Sequence, residues 1–73
     1  MNVGIIGCGF IGSETAQFID KNNEFGLIAL NDIDKDKATD LIKKLRNSNP
    51  KFMELNDLIK KSDLVIESAS KEV

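Results

Sequence analysis

Short apolar runs alternate along this chain with segments of helical periodicity. Residues 3–6 form an apolar run rich in β-branched side chains that stops at Gly7, a pattern typical of a central parallel strand buried on both faces. From Phe10 onward the period changes to that of a helix. Four side chains then share one helical face: Ile11, Thr15, Phe18 and Ile19. Asn22 and Asn23 follow as a polar stretch, so the first predicted helix ends near them.

The alternation continues through the middle of the chain. Residues 27–30 are apolar, too few for a helix, and are closed by a polar group, which predicts a second strand. The apolar side chains of residues 38–45 recur at i, i+3, i+4 and i+7, and this spacing indicates an amphipathic helix. Either Asp34 or Asp36 is placed to cap its N-terminus.

The last third of the chain repeats the pattern with shorter elements. Residues 51–54 predict a weak third strand, and residues 64–66 predict a fourth. A short helix between them carries three apolar side chains on one face: Leu55, Leu58 and Ile59. The order β-α-β-α-β-α-β implies right-handed crossovers and a parallel sheet, most simply with the strand order 3-2-1-4. We therefore predict an α/β fold, the first half of a doubly wound sheet of the Rossmann type.

The end of the sequence does not have the pattern of the end of a domain. Residues 68–73 are typical of a loop and the first turn of a further helix. A fourth strand begins the second half of a doubly wound dinucleotide fold. We therefore expect residues 1–73 to be the N-terminal part of a dinucleotide-binding domain, with the rest of the cofactor domain and the substrate domain absent. A chain of this length buries only about 60% of its unfolded surface, so its stability alone is expected to be marginal.

A glycine-rich loop joins the first predicted strand to the first predicted helix. Its sequence over residues 7–12, Gly-Cys-Gly-Phe-Ile-Gly, matches G-x-G-x-x-G. Gly7 permits a tight turn, Gly9 lets backbone amides approach a pyrophosphate, and Gly12 allows the helix to pack closely on the sheet. The helix N-terminus adds unpaired N–H groups and a favourable dipole for an anion. The loop is therefore predicted to hold the pyrophosphate of NAD or NADP.

Asp32 lies 20 residues beyond Gly12, at the carboxyl end of the second predicted strand. An acid at that position can accept hydrogen bonds from the adenosine ribose hydroxyls, and it repels a 2′-phosphate. The sequence therefore favours NAD, with NADP possible. Lys35 and Lys37 are placed either to offset that repulsion or, as the preferred interpretation, to serve as solvated charges in the first turn of the next helix.

Small and polar residues follow the fourth predicted strand, beside the first strand, where the strand order reverses. Ligands of open α/β sheets bind at this point. Ser68 or Ser70 could donate a hydrogen bond to the nicotinamide-side ribose, or Ser70 could instead cap the next helix. Glu67 is either a cofactor contact or a polar residue satisfied at the strand end, and the sequence leaves both interpretations open.

Composition limits the classes of partner. Ten basic and twelve acidic residues give a net charge of −2, without a block of Lys or Arg that could follow a phosphate backbone, so no nucleic-acid partner is expected. No apolar run approaches the ~18 residues that span a bilayer, and the N-terminus lacks the basic flank of a secretory signal. We therefore expect no membrane association and a cytoplasmic location.

The chain offers few residues suited to catalysis or metal binding. Histidine is absent and Cys8 is the only cysteine, which excludes an internal disulfide and a multi-cysteine zinc site within these residues. Cys8 is either a redox-active thiol or, as the preferred interpretation, a small residue at a variable loop position. We predict no catalytic residue and no metal site in this chain.

The remaining charged and aromatic residues are expected to have structural roles. Several acids show no spacing typical of a paired carboxylate or metal cluster and are expected on solvated helix faces: Asp20, Asp36, Asp40 and Asp57. The aromatic residues are expected to pack in the core or between helix and sheet: Phe10, Phe18, Phe25 and Phe52.

Taken together, these motifs resemble the NAD(P)-binding domain shared by aspartate dehydrogenase and homoserine dehydrogenase, and the resemblance to aspartate dehydrogenase is the closer one. It rests on residues 3–12, on the strand that ends at Asp32, and on residues 65–70 followed by Glu72 and Val73. The glycine-rich motif and the aspartate are common to many dehydrogenases. The segment from residue 67 to residue 70 is therefore the discriminating feature.

The resemblance implies an enzyme that oxidises L-aspartate, a small amino acid, to iminoaspartate with hydride transfer to the nicotinamide, or that runs the reverse reductive amination. It also implies a set of cofactor contacts: Gly9, Phe10, Ile11, Asp32, Ala69 and Ser70. The family's catalytic histidine and substrate ligands lie outside these residues. We expect the complete protein to be a homo-oligomer.

Other functions fit parts of the same pattern. Homoserine dehydrogenases and sugar oxidoreductases of the inositol dehydrogenase type share the loop and the aspartate, although the latter usually place a proline-containing segment after the fourth strand. A module that senses NAD without turnover is an alternative from another class. A structural fragment that binds nothing is a third, because half a sheet leaves an open edge at the fourth strand.

Overall fold

The computed structural model describes residues 1–22 and 24–68. Its elements are β1 (Asn2–Ile6), α1 (Phe10–Asp20), β2 (Gly26–Asn31), α2 (Lys35–Lys44), β3 (Lys51–Phe52), α3 (Leu55–Lys61) and β4 (Leu64–Glu67). The predicted alternation of strands and helices is therefore confirmed. The third strand is shorter than predicted, because only Lys51 and Phe52 pair with β2. Asn23, predicted near the end of the first helix, lies outside the described residues.

The four strands are parallel and lie in the order β3-β2-β1-β4, as predicted. The central strand β1 pairs with β2 on one side and with β4 on the other. At its carboxyl end, Ile6 is in register with Asn31 of β2 and with Glu67 of β4. Three strand ends therefore meet at one edge of the sheet, where the loop after β1 turns into α1.

A register irregularity between β1 and β2 shapes the core. Val3 pairs with Leu27, but the next residue, Gly4, pairs with Ala29, so one residue of β2 is skipped. Paired residues of neighbouring strands face the same side of a sheet. The skipped residue therefore allows Leu27 and Leu30 to join one cluster with buried side chains of α1 and α2.

Helices cover both faces of the sheet. α1 and α2 pack on one face through Ala16, Ile19, Ala38 and Leu41, which belong to the same buried cluster. On the other face α3 buries Leu58 completely. A Cβ atom added at Gly4 would lie only 2.7 Å from Leu58, so the absence of a side chain in β1 brings α3 close to the sheet.

The side chains predicted to share one face of α1 do not form its buried face. Of the side chains expected there, Ile19 is buried, but Ile11 and Phe18 are 65% and 68% exposed. The face that packs on the sheet consists instead of Gly12, Ala16, Ile19 and Asp20. Small residues allow the helix axis to approach the sheet closely, and this close approach turns the large apolar side chains outward.

The predicted packing role of the phenylalanines is confirmed for two of them and wrong for the other two. Phe25 and Phe52 are half-buried and pack against the core cluster. Phe10 is 80% exposed and Phe18 lies on the outer side of α1. Both exposed residues belong to α1, the helix that packs closely on the sheet through a glycine and an alanine.

Asp20 was predicted on a solvated helix face and is instead a buried structural acid, 7% exposed. Its carboxylate accepts hydrogen bonds from the backbone N–H groups of Arg46 at 2.9 Å, Asn47 at 3.2 Å and Ser48 at 2.6 Å. Burial alone would raise the pKa of Asp20, but these hydrogen bonds, with one from the Ser48 side chain, outweigh burial and hold the pKa below its ordinary value. Asp20 thus fixes the turn after α2.

Replacing Asp20 with Asn is expected to destabilise the fold by about 2 kcal/mol, because charge-assisted hydrogen bonds are lost and buried donors are left poorly paired. The free energy of unfolding, measured by urea denaturation of the purified protein, checks this. Asp40→Asn is the matched control, since Asp40 is exposed on α2. Equal effects of the two substitutions would contradict the structural role of Asp20.

The effect of Asp20 is expected to depend on pH. Because its pKa in the folded protein lies below the ordinary value of 3.8, its stabilisation is fully present above that pH and is lost as the pH falls through the lowered pKa. The difference in unfolding free energy between the wild type and Asp20→Asn should therefore shrink below pH 3.8. A difference that stays constant on acidification would contradict this assignment.

Candidate functional site

The loop after β1 begins with the one described residue of positive φ. Gly7 has a φ of 98°, a conformation that residues with a side chain rarely adopt. Its N–H donates to the carbonyl of Asn31 at 2.7 Å, which continues the β1–β2 hydrogen bonding by one residue. The tight turn expected at Gly7 is thus present, and it directs the chain from the sheet edge into α1.

Gly12 is the point at which α1 touches the loop that precedes it. A Cβ atom added there would overlap the carbonyl oxygen of Gly7 and would lie 2.7 Å from Oγ of Ser68. The expected close packing at Gly12 is therefore observed. It brings the first turn of α1 against the ends of β1 and β4.

Gly9 differs from the other two glycines of the motif, because no described residue beyond its chain neighbours lies within 4 Å of a Cβ atom added to it. Packing of the chain itself therefore does not require glycine there. Gly9 is also the N-cap of α1 and provides no side-chain hydrogen bond, so no cap side chain pairs with the amides of the first turn. Open space in front of a helix N-terminus fits a pyrophosphate. Phe10 and Ile11 flank this space and are mostly exposed.

Asp32 connects the loop to the end of β2. One carboxylate oxygen accepts from the N–H of Cys8 at 2.7 Å, and the other accepts from the N–H of Asp34 at 2.8 Å. Asp34 in turn caps α2 by accepting from the N–H of Asp36 at 3.0 Å, which resolves the two predicted capping candidates in favour of Asp34. Since a carboxylate oxygen can accept more than one hydrogen bond, Asp32 retains acceptor capacity for a ligand hydroxyl.

A cavity of about 410 Å³ lies at this edge of the sheet. Its lining comes from three strand ends and three helix starts: Ile6, Gly7, Gly9, Asn31, Asp32, Ile33, Lys37, Leu55 and Glu67. Its size is within the range of small-molecule sites. Of the predicted cofactor residues, the structure brings Gly7, Gly9 and Asp32 into this cavity and places Gly12 behind the loop. The predicted contacts Ala69 and Ser70 lie outside the described residues.

A larger cavity, of about 520 Å³, lies between the start of β2 and the segment before β3. It is lined by Phe25, Gly26, Leu27, Ile28, Asn47, Ser48, Asn49, Lys51 and Met53. None of the motif glycines and no acid borders it. Size alone therefore does not identify the binding site, whereas the chemistry of the lining favours the smaller cavity.

Ser68 has a role that the sequence did not reveal. Its hydroxyl lies 2.9 Å from the carbonyl oxygen of Gly7 and 3.2 Å from that of Ile6, and its N–H donates to the same Ile6 carbonyl at 2.8 Å. The single hydroxyl proton is thus directed to the backbone, and the expectation that Ser68 donates to a ribose is wrong. Ser68 instead fastens β4 to the start of the glycine-rich loop.

Cys8 has the environment of a packing residue. It is 7% exposed, and its thiol lies 3.6 Å from the carbonyl oxygen of Asn31. Burial, with a smaller contribution from the negative charge of Asp32, raises the pKa of the Cys8 thiol to about 11. A protonated, buried thiol is a poor nucleophile, which supports the interpretation of Cys8 as a small loop residue.

Metal binding and membrane insertion find no support in the part of the chain that the structure describes. Within residues 1–22 and 24–68, no three His, Cys, Asp or Glu side chains are grouped so that they could hold a metal ion. No helix among those residues combines the length and the apolar character needed to cross a membrane.

Comparison with known families identifies the domain. Residues 7–73 match the family model described as the NAD-binding domain of homoserine dehydrogenase. The chain belongs to this family. This membership confirms the predicted resemblance and the predicted NAD(P) class of cofactor, and the residues around Gly9 and Asp32 fit such a group.

Within this similarity, the relatives that match the chain are L-aspartate dehydrogenases. The chain is 44% identical over 71 residues to the L-aspartate dehydrogenase of Methanosarcina mazei, an alignment that covers 96% of this chain and 26% of that protein. It is 36% identical over 73 residues to the L-aspartate dehydrogenase of Methanococcoides burtonii, covering 99% and 27% of the two chains. The chain thus spans about a quarter of the length of the curated relatives it matches.

Solved structures confirm the fold. A protein from Sinorhizobium meliloti described as a myo-inositol dehydrogenase superposes with a TM-score of 0.82 at 18% identity, over 96% of this chain and 21% of that one. A protein described as a probable dehydrogenase from Thermotoga maritima gives 0.77 at 24% identity, with the same coverage. At these identities the similarity establishes the Rossmann-type fold alone.

Gly12→Ala is expected to destabilise the protein by about 2–3 kcal/mol, because the new methyl group overlaps backbone. Gly9→Ala should change stability by less than about 1 kcal/mol, since its methyl group enters open space. Thermal denaturation of the two variants beside the wild type measures both. If both alanines cost the same, the different roles assigned to the two glycines are wrong.

Proposed function

We propose that the chain is the N-terminal part of the dinucleotide-binding domain of an NAD(P)-dependent dehydrogenase, and that the rest of this domain and a substrate domain complete the protein. The coverage of about a quarter of the relatives supports this. So does β4, which lies at the edge of the sheet with Leu64 and Val65 partly exposed. A doubly wound sheet continues beyond its fourth strand and would cover these residues.

In the proposed binding mode, the pyrophosphate lies before the first turn of α1. Gly7 turns the chain, Gly9 leaves the space, and the backbone amides at Phe10, Ile11 and Gly12 face the anion. Asp32 accepts hydrogen bonds from the adenosine ribose. Ala69 and Ser70 also contact the cofactor, a role that the family resemblance alone supports.

The proposed substrate is L-aspartate. The relatives with 36% and 44% identity are L-aspartate dehydrogenases, whereas the inositol dehydrogenase similarity is structural only. The nicotinamide, when bound, accepts a hydride from the amino-bearing carbon of the substrate. The residues of this chain bind and orient the dinucleotide, and the groups that move protons belong to other parts of the protein. We extend the proposal to a homo-oligomeric protein and, as the sequence pattern favours, to a cytoplasmic location.

One observation carries the proposal more than any other. At Gly9 the chain leaves unfilled space in front of a helix N-terminus, in the same cavity as a carboxylate at the end of β2. A pyrophosphate beside a ribose explains both features together.

NAD binding to the complete protein, measured by calorimetry, tests the proposal. Gly9→Val should weaken binding by at least about tenfold, because its side chain enters the space assigned to the pyrophosphate. The matched control is Gly26→Val, since a Cβ atom at Gly26 meets only ordinary contacts at 3.8 Å and lies away from the cavity. Binding that is insensitive to Gly9→Val would contradict the loop assignment.

Substrate assays on the same protein separate the enzyme from an NAD sensor. Reduction of NAD in the presence of L-aspartate, and not of homoserine or inositol, is the expected result. Tight NAD binding without turnover of any of the three would favour the sensing module instead. Turnover of homoserine alone would support a dehydrogenase but contradict L-aspartate as its substrate.

A further inference from the structure

The face of the sheet on which a helix lies depends on the direction in which it connects two strands. α1 and α2 connect strands in the direction from β1 to β3, whereas α3 returns in the opposite direction to β4 and lies on the other face. This is the arrangement that right-handed connections between parallel strands require. A connection from β4 to a strand beyond it runs in the same direction as α3. Its helix therefore joins α3 and leaves the α1 face of β4 uncovered.

The α1 face of β4 is apolar. Leu64 and Ile66 are in register with Val3 and Ile5, which belong to the core cluster under α1 and α2. Paired residues face the same side of a sheet, so Leu64 and Ile66 also face the α1 side. Ile66 packs against the cluster, but Leu64 is 42% exposed. The core layer thus continues onto β4, where it is less well covered.

The flank of α1 that borders this surface is apolar as well. Asp20 marks the side of α1 next to α2, because its carboxylate accepts from the backbone of the turn after α2. At about 100° per residue, Ile11 and Phe18 lie roughly 180° and 160° around the helix from Asp20. They are therefore on the side of α1 directed away from α2 and toward β4. Thr15 lies between them and donates its hydroxyl proton to the carbonyl of Ile11 at 2.9 Å, so it adds little polarity.

Flank and strand together form a groove, which we define by Ile11, Phe18 and Leu64. α1 begins beside the end of β4, where a Cβ atom on Gly12 would lie 2.7 Å from Oγ of Ser68, and runs back along the sheet. Phe18 and Leu64 therefore lie at the same end of the groove. The groove is continuous with the core cluster through Ile66, so whatever fills it extends the core of this domain.

We propose that a helix of the same chain, from the part of the complete protein that follows the last strand of the sheet, returns to the α1 face and packs in this groove. Helices cover both faces of a parallel sheet. The curated relatives leave ample sequence for such a helix, because this chain spans only 26–27% of their length. The returning helix braces α1, whose first turn faces the proposed pyrophosphate. This inference rests on the proposed function, since it requires the complete protein to continue the doubly wound sheet.

Thiol labelling of the complete protein tests the inference. Phe18→Cys and Leu64→Cys place a thiol in the groove, and Asp40→Cys is the matched control on the exposed side of α2. A maleimide should modify the two groove thiols at least about tenfold more slowly than the control, measured site by site by mass spectrometry, because the helix excludes the reagent. Phe18 is the sharper position, since it lies on a helix above the sheet, where a further strand gives no protection. Groove thiols that react as fast as the control contradict the inference.

Photochemical crosslinking identifies the occupant and does not depend on the cysteine variants. With p-benzoylphenylalanine in place of Phe18, we expect crosslinks to one segment of the same chain, after the last strand, at attachment points three or four residues apart, the spacing of a helix face. Crosslinks between isotopically labelled and unlabelled copies would show that a second copy fills the groove and would contradict the inference. Crosslinks to no part of the chain beyond residue 73 would contradict it as well.

NAD titration of the wild-type protein keeps the two proposals apart. NAD binding together with fast labelling at position 18 contradicts the returning helix and leaves the proposed function intact. Absence of NAD binding contradicts the proposed function, whereas slow labelling and a crosslink within the chain would still support the helix.

Discussion

The hydrogen bond between the N–H of Cys8 and the carboxylate of Asp32, 2.7 Å long, is the interaction on which the candidate site depends. It joins the glycine-rich loop to the end of the neighbouring strand, across 24 residues of sequence. The second carboxylate oxygen holds the N–H of Asp34, which begins α2. The Asp32 side chain thus sets the positions of the N-termini of α1 and α2 relative to the carboxyl end of β2.

Close packing between α1 and the loop places a second constraint on the same edge. Gly12 leaves no room for a side chain against Gly7 and Ser68, and Ser68 fastens β4 to the carbonyl of Gly7. Three strand ends, one helix start and one loop are therefore locked together by glycines and short polar contacts. Gly9 is the exception, because no described residue beyond its chain neighbours lies within 4 Å of a Cβ atom added to it.

The sequence predicted most of the fold because the fold follows from short-range patterns and the handedness of crossovers. Apolar runs and helical spacing located all seven elements, and the parallel order followed from connection rules. The buried face of α1 could not be predicted in the same way. Hydrophobic periodicity identifies a helix face by its large apolar side chains, here Ile11 and Phe18. In the fold, the small residues Gly12 and Ala16 face the sheet instead and set the distance between helix and sheet.

The sequence predicted which residues form the candidate site. It did not predict the contacts that these residues make. The motif spacing singled out the glycines and Asp32, because a strand-loop-helix unit brings them together locally. Asp20 was misassigned because its partners lie 26 to 28 residues away in the turn after α2. A contact distant in sequence also separates Lys35 from Lys37. The sequence gives no reason to distinguish these two lysines, but in the fold Phe52 of β3 lies beside Lys35.

Asp32 and Lys37 lie at the same end of the site, but the contacts of the fold involve them in different ways. Lys37 is linked to the start of α2 through its backbone N–H, which donates to the carbonyl of Asp34. Asp32, the proposed ribose acceptor, is also the structural link between the loop and α2, so a substitution there disturbs the loop as well. Asp32 therefore stays fixed by the loop that it holds.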